Sequence, residues 1–200
     1  MFSPKMVLSI QGNSITHLFG AITLSWNAAS LCETITIRIP LSQSPPMSRI
    51  ESLLSAAETR RQSLQLPYAG ALSPDEALEL LQSEPRTRLI DVRTRAELDW
   101  VGRPTVAEAQ YAHIEWIRYP GSVPNAEFLA QLAQVADPDT PLLFLCRSAA
   151  RSKLAAAVAA KAGFVRAFDL LEGFEGDKDS AGHRKTVSGW CWRGLPWAGA

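Results

Sequence analysis

The sequence predicts an α/β fold in which a parallel sheet is covered by helices on both faces. Two observations carry this prediction. Short apolar segments alternate along the chain with segments of helical pattern, and such alternation is typical of a parallel sheet. The apolar run Leu142–Leu145 leads straight into Cys146, behind which an alanine-rich helical run begins. Because ligands of such sheets bind at the carboxyl ends of strands, we expect the functional site at Cys146.

The region before position 47 differs in composition from the rest of the chain. Its three charged residues are Lys5, Glu33 and Arg38. We therefore expect residues 1–46 to be an N-terminal extension that is disordered or not natively translated, with translation starting at Met47. A signal peptide cleaved near residues 28–30 is the alternative. The moderately apolar stretch from Leu18 to Cys32 is too short and too polar for a transmembrane helix.

We expect an N-terminal helix within residues 47–69 and a single domain over residues 70–200. Apolar residues at helical spacing predict the first helix. Ser73 opens a capping box with proline at the first helical position, so a second helix should run over residues 74–82. The apolar run 88–92 predicts a strand, and a short helix should follow over residues 94–100.

The second half of the domain continues the alternation. Residues 102–110 read as a loop and residues 114–119 as a strand, ended by Pro120 and Gly121. Asn125 can cap a helix that runs to Val135. After the Cys146 strand, an alanine-rich helix over residues 154–162 should be closed by Gly163. A last strand is predicted over residues 164–171, and Trp190, Trp192 and Trp197 are expected to cover the core.

The residues around Cys146 favour a nucleophile. Arg147 and Arg151 add positive charge at the start of a helix, where the dipole and unpaired N–H groups act in the same direction. Such surroundings favour the thiolate, which is the reactive form of cysteine. Successive N–H groups can also hold an anion. A buried, inert cysteine is the alternative.

Composition excludes several classes of function. Twenty basic residues balance twenty acidic ones, so the net charge argues against nucleic acid and against an anionic membrane surface. Three cysteines (Cys32, Cys146 and Cys191) do not make a disulfide framework, and we expect the reducing cytoplasm. The three scattered histidines and the absence of a CxxC pair predict neither a metal nor a cofactor.

Four stretches of the sequence resemble the rhodanese-like sulfurtransferase domain, here of the bacterial single-domain kind. They are Leu89–Arg93 with Glu97, Ala112–Ile114, the loop Cys146–Ser152, and Leu171–Asp177 with the closing Gly189–Trp190 and Gly194–Trp197. The family usually has glycine where Ala149 and Ala112 stand. The resemblance covers about residues 70 to 197, and four motifs in one order are far more specific than the cysteine loop alone.

The resemblance implies a five-stranded parallel sheet and a cysteine that cycles between thiol and persulfide. Cys146 would take a sulfane sulfur from thiosulfate or a persulfide and pass it to a thiol or cyanide. The expected partners are therefore a small anionic sulfur donor and a thiol acceptor, which can be a protein sulfur carrier. The residues implied to bind substrate are Arg147, Ser148, Ala149, Ala150, Arg151 and Ser152. Asp91 and Arg93 are implied to lie near the loop, where we expect them to support its structure.

Three alternatives remain open at this stage. A cysteine-dependent phosphatase would have five residues between cysteine and arginine, whereas four separate Cys146 from Arg151. A non-catalytic binding or regulatory module is the main rival, although inactive members of the family usually lack the cysteine. The third alternative is that Cys191 reduces a persulfide, but we expect this residue to pack in the core. We also expect a structural role for His113.

Overall fold

A computed structural model describes residues 7–9, 19–25, 34–40 and 48–199 of the protein. The chain divides into two compact units, residues 1–47 and 48–200. In the first unit, strands β1 (Val7–Ser9), β2 (Phe19–Ser25) and β3 (Thr34–Pro40) form an antiparallel sheet in chain order, which the sequence did not predict. The expectations of disorder and of a start at Met47 stay predictions, and the proposed cleavage region lies outside the described residues.

The second unit alternates helices and strands. Its helices are α1 (Arg49–Ser63), α2 (Pro74–Ser83), α3 (Arg95–Val101), α4 (Phe128–Val135) and α5 (Ala150–Lys161), with a short 3₁₀ turn at Glu108–Gln110. Its strands are β4 (Gly70–Leu72), β5 (Arg88–Asp91), β6 (Arg103–Pro104), β7 (Tyr111–His113), β8 (Ile117–Arg118), β9 (Val123–Pro124), β10 (Leu142–Leu145), β11 (Ala167–Leu170) and β12 (Trp197–Ala198).

The central sheet has five parallel strands in the order β4-β11-β10-β5-β7. This architecture confirms the predicted fold class. The strand that leads to Cys146, β10, lies in the middle of the sheet between β5 and β11. All four of its residues are buried, which explains why it reads as a continuous apolar run rather than an alternating one.

Each face of the sheet has its own hydrophobic core. Leu142 and Phe144 point to the face that α4 and α5 cover, whereas Leu143 and Leu145 point to the opposite face. The second face is covered by α1, α2 and the C-terminal segment, from which Trp190 is fully buried. The helices therefore flank the sheet on both sides, as the alternation of elements predicted.

The strand predicted over residues 114–119 is wrong in position. The edge strand β7 covers Tyr111–His113 and pairs with Leu89–Asp91 of β5. Its residues are only partly buried, so the apolar signal there is weak and the prediction was drawn to the residues that follow. Ile117–Arg118 instead forms a short hairpin with Val123–Pro124.

Three smaller expectations also need correction. The loop predicted over residues 102–110 contains β6, which pairs with β12 at the C-terminus. Helix α4 begins at Phe128, two residues later than a cap at Asn125 predicts. The Asn125 Oδ1 atom accepts a hydrogen bond from the Glu127 amide in the turn that precedes the helix. Of the three C-terminal tryptophans, only Trp190 is buried.

No helix in the part of the chain that the structure describes is long and apolar enough to cross a membrane.

Candidate active site

Cys146 lies where the sequence predicted it, at the carboxyl end of the central strand β10 and just before α5. Its side chain is 1% exposed. We call residues 146–152 the cysteine loop. The loop contains every residue that the resemblance implies for substrate binding, and these residues lie together because they are consecutive in the chain. Helix α5 begins at Ala150, four residues earlier than predicted.

The backbone of the cysteine loop leaves its N–H groups free for an anion. Among the residues that the structure describes, no side chain caps the first turn of α5. The carbonyl oxygens of Cys146 and Arg147 instead accept hydrogen bonds from the amides of Phe174 (2.8 Å) and Glu175 (3.0 Å). With its carbonyl groups held by this segment, the loop presents unpaired donors at the positive end of the α5 dipole.

Ala149 adopts the left-handed conformation, with φ of 60° and ψ of 7°. The family that this loop resembles usually has glycine at this position. A residue with a Cβ in this region costs about 1 kcal/mol relative to glycine. The loop accepts this cost, and Ala149 itself is buried, so the alanine does not prevent the loop from forming.

Gly173 supports the cysteine loop from the neighbouring segment. Its φ is 70°, and a Cβ at this position would lie 2.6 Å from the Cys146 oxygen and from the Ser148 nitrogen. No side chain fits in that space without displacing the backbone of the loop. Gly173 lies inside the Leu171–Asp177 motif, but its contact with the loop was not predicted from the sequence.

The two arginines of the cysteine loop have different surroundings. Arg151 donates hydrogen bonds of 2.7 and 2.6 Å to Glu97, which forms a capping box with Thr94 in the first turn of α3. Burial raises the pKa of Glu97, but hydrogen bonds from Arg151 and from the Thr94 amide outweigh it and lower the pKa to about 2. Arg147 is exposed and has no ion-pair partner among the described residues.

Asp91 and Arg93 form a fully buried ion pair at the end of β5, next to the end of β10. The Arg93 guanidinium donates to both carboxylate oxygens, at 2.6 to 3.1 Å, and to the Gly102 carbonyl oxygen at 3.0 Å. It also lies 4.2 Å from the centre of the Phe174 ring. The ion pair therefore lies beside the cysteine loop and contacts Phe174, whose amide group holds the Cys146 carbonyl oxygen.

His113 is held by a hydrogen bond to the backbone, and Cys191 is held by packing against the core. The His113 Nε2 atom lies 2.8 Å from the Arg93 carbonyl oxygen, which orients the ring toward the backbone. Cys191 is half-buried against the core face that contains Trp190. Burial raises the pKa of its thiol to about 11, which disfavours the thiolate that a role in reducing a persulfide would need.

Two features near the cysteine were not predicted from the sequence. Ser152 was predicted as a substrate-binding residue of the loop, but its contact with the cysteine was not: its hydroxyl oxygen lies 3.4 Å from the Cys146 sulfur, and both groups are buried. Asp169 on β11 is fully buried although it carries a carboxyl group. A charged residue between Phe168 and Leu170, within a predicted buried strand, was the signal that could have revealed it.

Comparisons with known proteins identify relatives of this arrangement. The family described as "Rhodanese-like domain" matches residues 73–180, more than half of the chain. The Rv0390 protein of M. tuberculosis is 41% identical, with 66% of this chain and 98% of that chain covered and a TM-score of 0.60. An uncharacterized protein of Rickettsia conorii is 28% identical over 125 residues, which is 61% of this chain and 91% of that protein. The polysulfide-sulfur transferase homodimer of Wolinella succinogenes is 25% identical, with 76% and 93% of the chains covered and a TM-score of 0.48.

Proposed function

The chain belongs to the rhodanese-like domain family, and from this premise we propose that it is a sulfurtransferase that carries sulfur as a persulfide on Cys146. The donor is thiosulfate or a persulfide, and the acceptor is a thiol or cyanide. The observation that carries the proposal is the position of Cys146 at the uncapped start of α5. A thiolate and a persulfide are both anions, and this site stabilises an anion.

The first half of the reaction loads the cysteine. The Cys146 thiolate attacks the outer sulfur of thiosulfate, and a new S–S bond forms at the cysteine. The original S–S bond of the donor breaks, and its electron pair leaves with sulfite. The N–H groups of the cysteine loop can bind the terminal sulfur of the resulting persulfide, while exposed Arg147 attracts the anionic donor.

The second half unloads the cysteine. A thiolate or cyanide attacks the terminal sulfur, the S–S bond to Cys146 breaks, and the electron pair returns to the cysteine as thiolate. No metal or cofactor takes part in either half. We include a cytoplasmic location in the proposal, because a reactive thiolate is best preserved in a reducing compartment. The thiol acceptor in this proposal can be a protein sulfur carrier.

The second candidate function is a binding or regulatory module without catalysis. One observation favours it: the Cys146 side chain is 1% exposed, so a large donor reaches the sulfur only if the loop opens. Small anions need less space, and thiosulfate therefore distinguishes the two functions.

The experiment is the intact mass of the full chain after incubation with thiosulfate, with a Cys146→Ser variant as the matched control. We expect the mass of one added sulfur atom, which disappears when cyanide is added and never forms on the variant. A gain with a persulfide donor alone would retain the chemistry and change the substrate. No gain with either donor would reject the sulfurtransferase and favour the binding module.

A further inference from the structure

Asp169 is a buried carboxyl group whose contacts do not explain why it is there. It lies in β11 at 0% exposure. Neither of its carboxyl oxygens has a hydrogen-bond partner among the described residues. An unsatisfied buried acceptor normally costs stability, and an ionised carboxylate costs more than a neutral one. A residue that is buried at such a cost is a candidate for function.

The register of the sheet places Asp169 on the same face as the active cysteine. Asp169 pairs with Phe144 on β10, and paired residues of parallel strands point to the same face. Cys146 follows Phe144 by two residues and belongs to the same core cluster. Both side chains therefore point toward α5, which covers this face with Ala155, Ala156 and Ala159.

Ser152 lies against the sulfur of Cys146. It lies in the first turn of α5, is fully buried, and its hydroxyl oxygen is 3.4 Å from the Cys146 sulfur. Burial raises the pKa of Asp169 to about 6, while the Ser152 hydroxyl and the charge of Lys153 act to lower it. Neither carboxyl oxygen of Asp169 has a hydrogen-bond partner among the described residues, so the carboxyl group keeps its full capacity to accept a hydrogen bond from the hydroxyl.

We propose that Asp169 is a positioning residue that acts through the Ser152 hydroxyl and decides whether the Cys146 sulfur receives a hydrogen bond. The inference rests on the proposed function and deepens it. The hydroxyl has one proton to donate, and the carboxyl group and the sulfur compete for it. The Ser152 hydroxyl keeps its proton and changes only the direction in which it donates, whereas Asp169 gains or loses its own proton by exchange with solvent.

The two states of Asp169 serve the two halves of the reaction. When Asp169 is ionised, it accepts a hydrogen bond from the Ser152 hydroxyl. The Cys146 thiolate then attacks the donor without a hydrogen bond from Ser152. When Asp169 is protonated, it donates to Ser152, which then donates to the sulfur. A hydrogen bond stabilises a thiolate, so this state favours the departure of Cys146 from the persulfide when the acceptor attacks.

The test measures the rate at which iodoacetamide alkylates Cys146 in the full chain, from about pH 5 to about pH 9. Mass spectrometry of the Cys146 peptide separates this rate from reaction at Cys32 and Cys191. In the unmodified protein, two titrating groups should be needed to describe how the alkylation rate depends on pH. Besides the titration of the Cys146 thiol, the rate should show an additional step, a change of about threefold, near pH 6, where Asp169 titrates. Alkylation does not require sulfur transfer, so failure of the proposed function would leave this test intact.

Variants assign the additional step. Asp169→Asn and Ser152→Ala should each remove it, the double variant should behave like either one, and Ser152→Thr should restore it because the hydroxyl is retained. A purely structural role would change the rate equally at every pH and keep the step. Persistence of the step in folded Asp169→Asn or Ser152→Ala would overturn the proposal.

Other titratable groups near this region serve as controls. Lys153 and Tyr68 are the charged or ionisable neighbours whose charge is coupled to Asp169, and histidines titrate in the same range as the expected step. Lys153→Met should move the step to higher pH, since the lysine charge lowers the pKa of Asp169. His113→Gln and Tyr68→Phe should leave the step in place, and loss of the step in either variant would overturn the assignment to Asp169.

Discussion

Glu97 accepts two hydrogen bonds from Arg151, so one of the two arginines of the cysteine loop already has its charge balanced inside the protein. Both side chains of this pair are 19% exposed. The pair joins the first turn of α3 to the first turn of α5 across the carboxyl edge of the sheet. Arg151 therefore holds the loop in place, and Arg147 is the arginine available to a ligand.

The Glu97→Gln variant should lose about 2 kcal/mol of unfolding free energy at neutral pH, because the mostly buried Arg151 loses its partner. Glu97 has a lowered pKa in the folded state, so its contribution is present above the ordinary value of 4.5 and disappears as the pH falls toward about 2. Urea denaturation should show the two proteins converging in that range. Glu58→Gln, which removes an exposed pair with Arg61, is the control and should have a much smaller effect. A difference that stays constant down to low pH would contradict the argument.

The Arg147→Gln variant should raise the KM for thiosulfate about tenfold and leave kcat nearly unchanged, since Arg147 attracts the donor in the ground state and the transition state alike. Steady-state sulfur transfer to cyanide measures both constants. Arg86→Gln is the matched control, because Arg86 is also exposed but precedes β5 at the opposite end of the sheet. A lower kcat at unchanged KM would instead place Arg147 in the chemical step.

The Gly173→Ala variant should lose most of its sulfur loading, because the new Cβ would lie 2.6 Å from the backbone of the cysteine loop. Gly194→Ala is a close control. The φ values are 70° and 68°, so both variants have similar backbone strain, but nothing lies within 4 Å of a Cβ at position 194. Intact mass after incubation with thiosulfate gives the loading, and thermal unfolding gives the stability of each variant. Equal loading by the two variants would show that contact with Gly173 is not needed.

The Ala149→Gly variant should gain about 0.5 to 1 kcal/mol of unfolding free energy, because glycine adopts the left-handed conformation without the Cβ penalty. Ala150→Gly, at the adjacent first residue of α5, should be neutral or destabilising, since glycine is a poor helix former. Urea denaturation of the pair measures the difference. A loss of stability in Ala149→Gly would mean that the alanine side chain contributes more by packing than its conformation costs.

The Asp169→Asn variant should be more stable than the unmodified protein above about pH 6 and equally stable near pH 4. The folded state raises the pKa of Asp169 from 3.8 to about 6, so the folded protein is disfavoured once the group is ionised. Stability is therefore lost as the pH rises between these values, by up to about 3 kcal/mol. The unfolding free energy measured by urea over this range should show the gap opening. A gap that is the same at pH 4 and pH 8 would show that burial does not perturb this group.

Local signals in the sequence predicted much of the fold. The capping box at Ser73 marks the start of α2, and Gly163, with φ of 101°, follows the end of α5 as predicted. The buried strand β10 and the position of Cys146 also follow from neighbouring residues alone. The edge strand β7 did not, because a half-buried strand lacks the apolar contrast on which the prediction depends.

The sequence by itself determined the order of the elements and the cysteine loop between a strand end and a helix start. It also determined the family, since four motifs follow one another along the chain in the order typical of that family. Only the tertiary structure decided that Glu97 neutralises Arg151, that Gly173 lies against the loop, and that Asp169 points to the same face of the sheet as Cys146. The physical reason is that these contacts join residues far apart in the chain, and the strand order β4-β11-β10-β5-β7 brings them together. Local propensity carries no information about which distant side chain will meet the loop.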